Sequence, residues 1–135
     1  MAWMANPLTD ADFAALSSFR HALRRFLQFS ADAAASAGLT PQQHQALLAI
    51  RGGAGHELLV GALAERLMLR PHSATELVNR MEKLDLVRRT TGASDRRQVA
   101  VGLSPKGEEL LNGLSEAHRS ELRRLRPLLE LMSKL

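Results

Sequence analysis

The 135-residue chain contains no cysteine, which removes disulfides, thiol-based redox sensing and cysteine metal sites together. Tyrosine is also absent, and aromatic residues make up only 4% of the chain, too few for the stacking platforms that hold single-stranded nucleic acids. No uncharged apolar run is long enough to span a bilayer, so no membrane association is expected. The opening Met-Ala-Trp-Met-Ala-Asn-Pro lacks the basic-then-apolar order of a secretory signal. With 45% hydrophobic residues, the chain reads as one globular domain, residues 1–135, and its expected location is the cytoplasm.

Catalytic patterns are missing too. His21, His44, His56, His72 and His118 are scattered, without the spacing that would bring two imidazoles to one metal, so no metal is expected. Ser17, Ser18, Ser30 and Ser36 lie in helical, alanine-rich surroundings with no strand-turn-helix context for a nucleophile. The glycines at 52, 53 and 55 are not followed by the Lys-Ser/Thr of a phosphate-binding loop and read as a connector. Neither an enzyme nor a cofactor is expected.

What the chain does have is localised charge. The formal net charge of +4 arises entirely between residues 66 and 97, where eight Arg or Lys stand against four Asp or Glu. Such a local excess is an electrostatic footprint for a polyanion. Around it the chain reads as helices. Phe13, Leu16, Phe19, Leu23, Phe26 and Leu27 recur at three- and four-residue steps and predict one long helix from Leu8 to about Ser36, capped by Thr9 or Asp10. Thr40 followed by Pro41 starts another, carrying Leu47, Leu48 and Ile50 inward. Residues 59–69 predict a short helix, followed by a turn around Met68 to Arg70. Ser104 and Pro105 open a further helix, with Glu108 closing its cap, and Pro127 breaks it before a last helix over Leu128 to Leu135.

Between these lies the stretch from Arg70 to Leu103. Ala74, Leu77, Val78, Met81 and Leu84 form the apolar stripe of a helix over 71–85. Its other face carries His72, Ser73, Thr75, Glu76, Asn79, Arg80 and Lys83, side chains suited to base edges and phosphates in a major groove. Val87, Arg89 and Thr91, then Val99, Val101 and Leu103, alternate as the strands of a hairpin that turns at Gly92-Ala93-Ser94-Asp95. Taken singly, the stripe could belong to any helical core and the turn to any solvated hairpin tip. Their order along the chain is what carries meaning.

The run Asp95-Arg96-Arg97-Gln98-Val99-Ala100-Val101-Gly102-Leu103-Ser104 resembles the Asp-x-Arg-x-x-x-Val-x-Leu-Thr signature of the MarR family of winged helix-turn-helix repressors, with Ser104 in place of Thr. Leu63-Ala64-Glu65-Arg66-Leu67 is similar to that family's first helix-turn-helix element, and Leu77-Val78-Asn79-Arg80-Met81-Glu82 to its recognition helix. Asp85 stands where the family usually places Gly, and Gly102 thins the second wing strand. The resemblance implies a mainly α fold with a small β-hairpin wing: a winged helix-turn-helix over 57–103, flanked by dimerisation helices over 8–36 and 105–135. It implies a transcriptional repressor that binds palindromic double-stranded DNA as a homodimer. Arg97 would enter the minor groove, supported by Asp95, with Arg96 and Arg88 as further contacts. It also implies a small aromatic effector in a crevice for which Phe26, Phe29, His44, Leu48 and Arg51 are candidates. The competing reading is a winged-helix dimer that holds a protein partner and no DNA. Dimerisation has independent support, since the apolar end helices carry more apolar surface than so small a chain can cover.

Overall fold

Thr9, Thr40 and Ser104 each start a helix in the way their side chains allow. The Thr9 hydroxyl accepts from the Asp12 amide at 3.2 Å while the Asp12 carboxylate accepts from the Thr9 amide at 2.9 Å. Thr40 and Gln43 repeat this reciprocal arrangement at 3.1 and 3.0 Å, and the Ser104 hydroxyl accepts from the Gly107 amide at 3.0 Å. Each such cap satisfies donors that a helix start leaves orphaned, at about 1 kcal/mol apiece. In the computed structural model, which describes residues 7–91 and 98–135, these caps open α1 (Asp10–Ser36), α2 (Pro41–Arg51) and α5 (Pro105–Arg124). Between α2 and α5 come β1 (Glu57–Leu59), α3 (Val60–Leu67), α4 (Pro71–Lys83), β2 (Val87–Thr91) and β3 (Val99–Leu103), and α6 (Arg126–Met132) closes the order.

Among the described residues the protein is mainly helical with one small antiparallel sheet, and that sheet has three strands rather than the two of a hairpin. β3 lies in the middle, pairing with β2 from Val87–Leu103 to Thr91–Val99 and with β1 from Glu57–Gly102 to Leu59–Ala100. Residues 57–59 are therefore strand, and the short helix predicted over 59–69 is confined to Val60–Leu67. Gly53 lets the chain turn into β1: a Cβ there would lie 2.0 Å from the Glu57 carbonyl oxygen. After α3, Met68 takes a left-handed conformation (φ 55°) and the Leu69 amide donates back to Ala64 O at 2.8 Å, which ends the helix and redirects the chain into α4.

One core holds these pieces together. Leu47 and Ile50 of α2, Leu63 of α3, Val78 and Met81 of α4, Leu86, and Val87 and Val101 of the sheet are all fully buried, each worth about 1.5–3 kcal/mol in transfer from water. Leu111 and Leu114 of α5 join the same cluster. α4 ends at Lys83, two residues short of the helix predicted over 71–85. Leu84 is half exposed, and Asp85 takes a left-handed conformation (φ 57°) with its amide bonded to Glu82 O at 3.0 Å. Asp85 thus makes the helix-to-strand corner that the resemblance gives to glycine, using one of the few side chains that tolerate it.

Three further boundaries differ from expectation. Glu108 does not close the Ser104 cap but reaches Arg51 of α2, 3.0 Å away, and ties α5 to α2. The break in the C-terminal helices comes at Leu125, so Pro127 occupies the first turn of α6 instead of ending α5. The last helix is consequently Arg126–Met132 instead of 128–135. α6 packs back on α1. Among the described residues no helix is long and apolar enough to cross a membrane.

Candidate nucleic-acid interface and adjoining crevice

The 3.6-residue period of α4 separates its two roles physically. Ala74, Leu77, Val78 and Met81 are buried, while His72, Ser73, Thr75, Glu76, Asn79, Arg80 and Lys83 are all exposed. Several members of that face are already engaged with one another. His72 Nε2 lies 3.2 Å from a Glu76 carboxylate oxygen one turn on, and the Thr75 hydroxyl donates to Pro71 O at 3.1 Å. Ser73, Arg80 and Lys83 have no side-chain partner among the described residues. Arg88 is exposed on β2. Asp95, Arg96 and Arg97, the expected wing contacts, lie outside the described residues, as does the turn at 92–95.

Arg89 joins this face without being among the residues that the sequence predicts for it. It lies two positions after buried Val87 on the same side of β2, the side that packs on α4. Its Nη1 donates to Glu82 Oε1 at 2.8 Å and its Nη2 donates to Asn79 Oδ1. The strand alternation could have located it, since a polar residue in phase with a buried valine must face the neighbouring helix.

A second cluster joins α1, α2 and α5. His118 Nδ1 donates to Leu114 O at 2.6 Å, because a carbonyl can only accept. That tautomer leaves Nε2 to accept from the Ser30 hydroxyl at 2.8 Å, and the Ser30 oxygen in turn accepts from His44 Nδ1 at the long distance of 3.5 Å. The imidazoles lie 4.7 Å apart, centre to centre, with the edges of Phe26 and Phe29 against His118. Beside them is a crevice of about 260 Å³ lined by Phe26, Ser30, His44, Gln45, Leu48, Ser115, His118, Arg119 and Leu122. The candidates Phe26, His44 and Leu48 thus come together and Phe29 adjoins them through His118. Arg51 does not join them and is held by Glu108. Ser30 and His118 were not anticipated as partners, being 88 residues apart in sequence.

Burial, and then the neighbouring His118, lower the pKa of His44 below the ordinary value of 6.5. The folded protein therefore binds fewer protons than the unfolded chain just below pH 6.5, and stability falls as the pH drops through that window. Replacing His44 with Gln should flatten the dependence of the urea midpoint on pH between 7.5 and 5.5, by at most ~1.4 kcal/mol per pH unit. Identical slopes for the two proteins would show that His44 charges as easily folded as unfolded.

Comparison with known proteins agrees with this architecture. Residues 37–98 match the model of the MarR family. Over 67 residues the chain is 31% identical to an uncharacterised HTH-type transcriptional regulator, YsmB, of Bacillus subtilis, and over 80 residues it is 32% identical to the HTH-type transcriptional repressor MdtR of the same organism. These matches cover 50% and 56% of this chain and 46% and 50% of those proteins, so the chain spans about half the length of the curated relatives it matches. Among solved structures, AbsC, a MarR family transcriptional regulator from Streptomyces coelicolor, superposes with a TM-score of 0.71 at 22% identity, covering 97% of this chain and 100% of that one. A Staphylococcus aureus MepR variant bound to an oligodeoxyribonucleotide gives 0.68 at 19% identity over 82% and 80%. NadR in complex with 4-hydroxyphenylacetate gives 0.70 at 20% over 92% and 84%.

Proposed function

We propose that this chain is a winged-helix transcriptional repressor of the MarR type that binds a roughly palindromic duplex operator as a homodimer, a reading supported by the match of residues 37–98 to the MarR family model. The observation that carries this reading is the exposed polar face of α4: seven side chains able to meet bases or phosphates, backed by a fully packed apolar stripe and left open to solvent. His72, Ser73, Thr75, Glu76, Asn79, Arg80 and Lys83 would lie in the major groove, where hydrogen-bonding edges distinguish all four base pairs. Arg88, Arg96 and Arg97 would meet the backbone and the adjoining minor groove, with Asp95 steadying Arg97. Two copies related by a two-fold axis would place their α4 helices about 34 Å apart, one helical turn of DNA. The helices over 8–36 and 105–135 would join the copies.

A small aromatic effector is proposed for the crevice of Phe26, His44 and Leu48, with Phe29 adjoining through His118. Apolar rings line one side and the Ser30–His118 pair supplies polar groups. Because α1, α2 and α5 all line it, a molecule seated there would change how the end helices sit on the DNA-binding part, which is how it would release the operator.

A salt titration tests the DNA-binding reading. An Arg96→Ala, Arg97→Ala double variant should bind every duplex more weakly, with the slope of log affinity against log salt reduced by about 0.9 for each phosphate that is no longer neutralised, and should select the same consensus from a random pool. An unchanged slope would remove the wing from the interface. A wild-type protein that selects no sequence would overturn the reading altogether.

A further inference from the structure

We infer that Arg89, which lies on β2 and not on α4 itself, determines which base the α4 face selects, by turning the Asn79 amide so that its NH2 points outward. The inference rests on the DNA-binding reading of α4. Arg89 presents only donors, so the oxygen of the Asn79 side chain must be the atom that meets its Nη2, and the amide nitrogen is left facing away from the strand. Glu82 holds the guanidinium from the other side at 2.8 Å. It fixes the fork geometry and neutralises the charge, so Arg89 is not drawn off to a DNA phosphate.

The consequence is chemical. An unconstrained asparagine in the major groove pairs bidentately with adenine, accepting from N6 with its oxygen and donating to N7 with its nitrogen. In this protein the oxygen is bonded to Arg89 and the outward group is a donor. Among bases, guanine shows two acceptors, O6 and N7, in the major groove, adenine shows one acceptor and one donor, thymine shows a single acceptor beside its methyl group, and cytosine shows an amino donor, so guanine alone offers an outward NH2 two acceptors. Asn79 therefore selects guanine, and Arg89, acting through Asn79 without touching the base, is the positioning residue for that choice.

The test is selection from a random duplex pool by the full chain, with four proteins compared. Asn79→Ala identifies the operator position that Asn79 reads, as the one position where preference is lost. The wild type should prefer guanine there. Arg89→Met, which keeps the apolar stem and removes the fork, should shift that position toward adenine by about fivefold or more in the guanine-to-adenine ratio. It should leave the salt slope unchanged, because Arg89, held by Glu82, neutralises no phosphate. Asn79→Asp, which puts an acceptor where the NH2 was, should favour cytosine at the same position, and it tests the geometry even if Arg89→Met fails to fold. A guanine preference that survives Arg89→Met would overturn the inference, and so would a salt slope that falls by about 0.9 with the consensus intact, which would make Arg89 a phosphate-binding residue; either result leaves the DNA-binding reading standing. A wild type that selects no sequence would overturn both.

Discussion

A protein lacking residues 127–135 is expected to sediment as monomer or aggregate and to lose at least on the order of 100-fold in operator affinity, the factor that a second tethered half-site supplies. Phe13 of α1 is 59% exposed and Leu129 of α6 is 63% exposed, and Leu23, Leu27, Leu122, Leu131 and Leu135 of the end helices are exposed as well. Inside this region α1, α5 and α6 enclose an apolar gap of about 260 Å³ lined by Phe19, Ala22, Leu122, Leu125, Leu128 and Leu129. Apolar area of this kind costs roughly 25 cal/mol per Å² to leave in water, and a second copy presenting the same helices is its natural cover. The truncated chain keeps the α2–β3 core, so helix content by circular dichroism should fall only by the deleted turns. If the truncated protein remains a soluble dimer in the ultracentrifuge, the two copies must be joined elsewhere.

Gly107→Ala should destabilise the fold by about 3 kcal/mol, although alanine is the better helix former. A Cβ at 107 would lie 2.2 Å from Leu86 O and 3.4 Å from Leu47 Cδ2. That carbonyl cannot simply retreat, because it accepts the Ser104 amide at 3.0 Å, and the Gly107 amide itself donates to the Ser104 hydroxyl. Pushing α5 away would therefore break the cap and the strand-to-helix corner together. Gly113 in the same helix has nothing within 4 Å of where its Cβ would be, and Gly113→Ala should stabilise by up to ~1 kcal/mol. Urea midpoints with unchanged m-values would show both effects. Two substitutions of the same type in one helix should thus move stability in opposite directions. A Gly107→Ala protein as stable as the wild type would mean that α5 can shift at no cost.

Much of the fold is legible in the sequence. Thr9, Thr40 and Ser104, with Pro41 and Pro105 behind two of them, announce helix starts because a cap is a bond between residues three apart. The α4 stripe and its exposed opposite face follow from the helical period alone. The resemblance to a family signature locates the wing, although Asp95, Arg96 and Arg97 themselves lie outside the described residues. Other features have no local trace. Glu57-Leu58-Leu59 becomes a strand only because β3, more than 40 residues later, offers it a free edge, and short apolar segments of this kind follow their surroundings. Arg51 follows His44 on the same helix, which suggests the crevice for both, whereas the position of Glu108 on α5 draws Arg51 away from it. Ser30, His44 and His118 meet because three helices cross there. Local hydrogen bonds and periodicity, which involve residues a few positions apart, made the helices and the exposed face of α4 a property of the sequence. The third strand, the histidine cluster, the requirement for glycine at 107 and the hold of Arg89 on Asn79 were decided by tertiary structure, since each depends on a distance between elements that is set only when the core has packed.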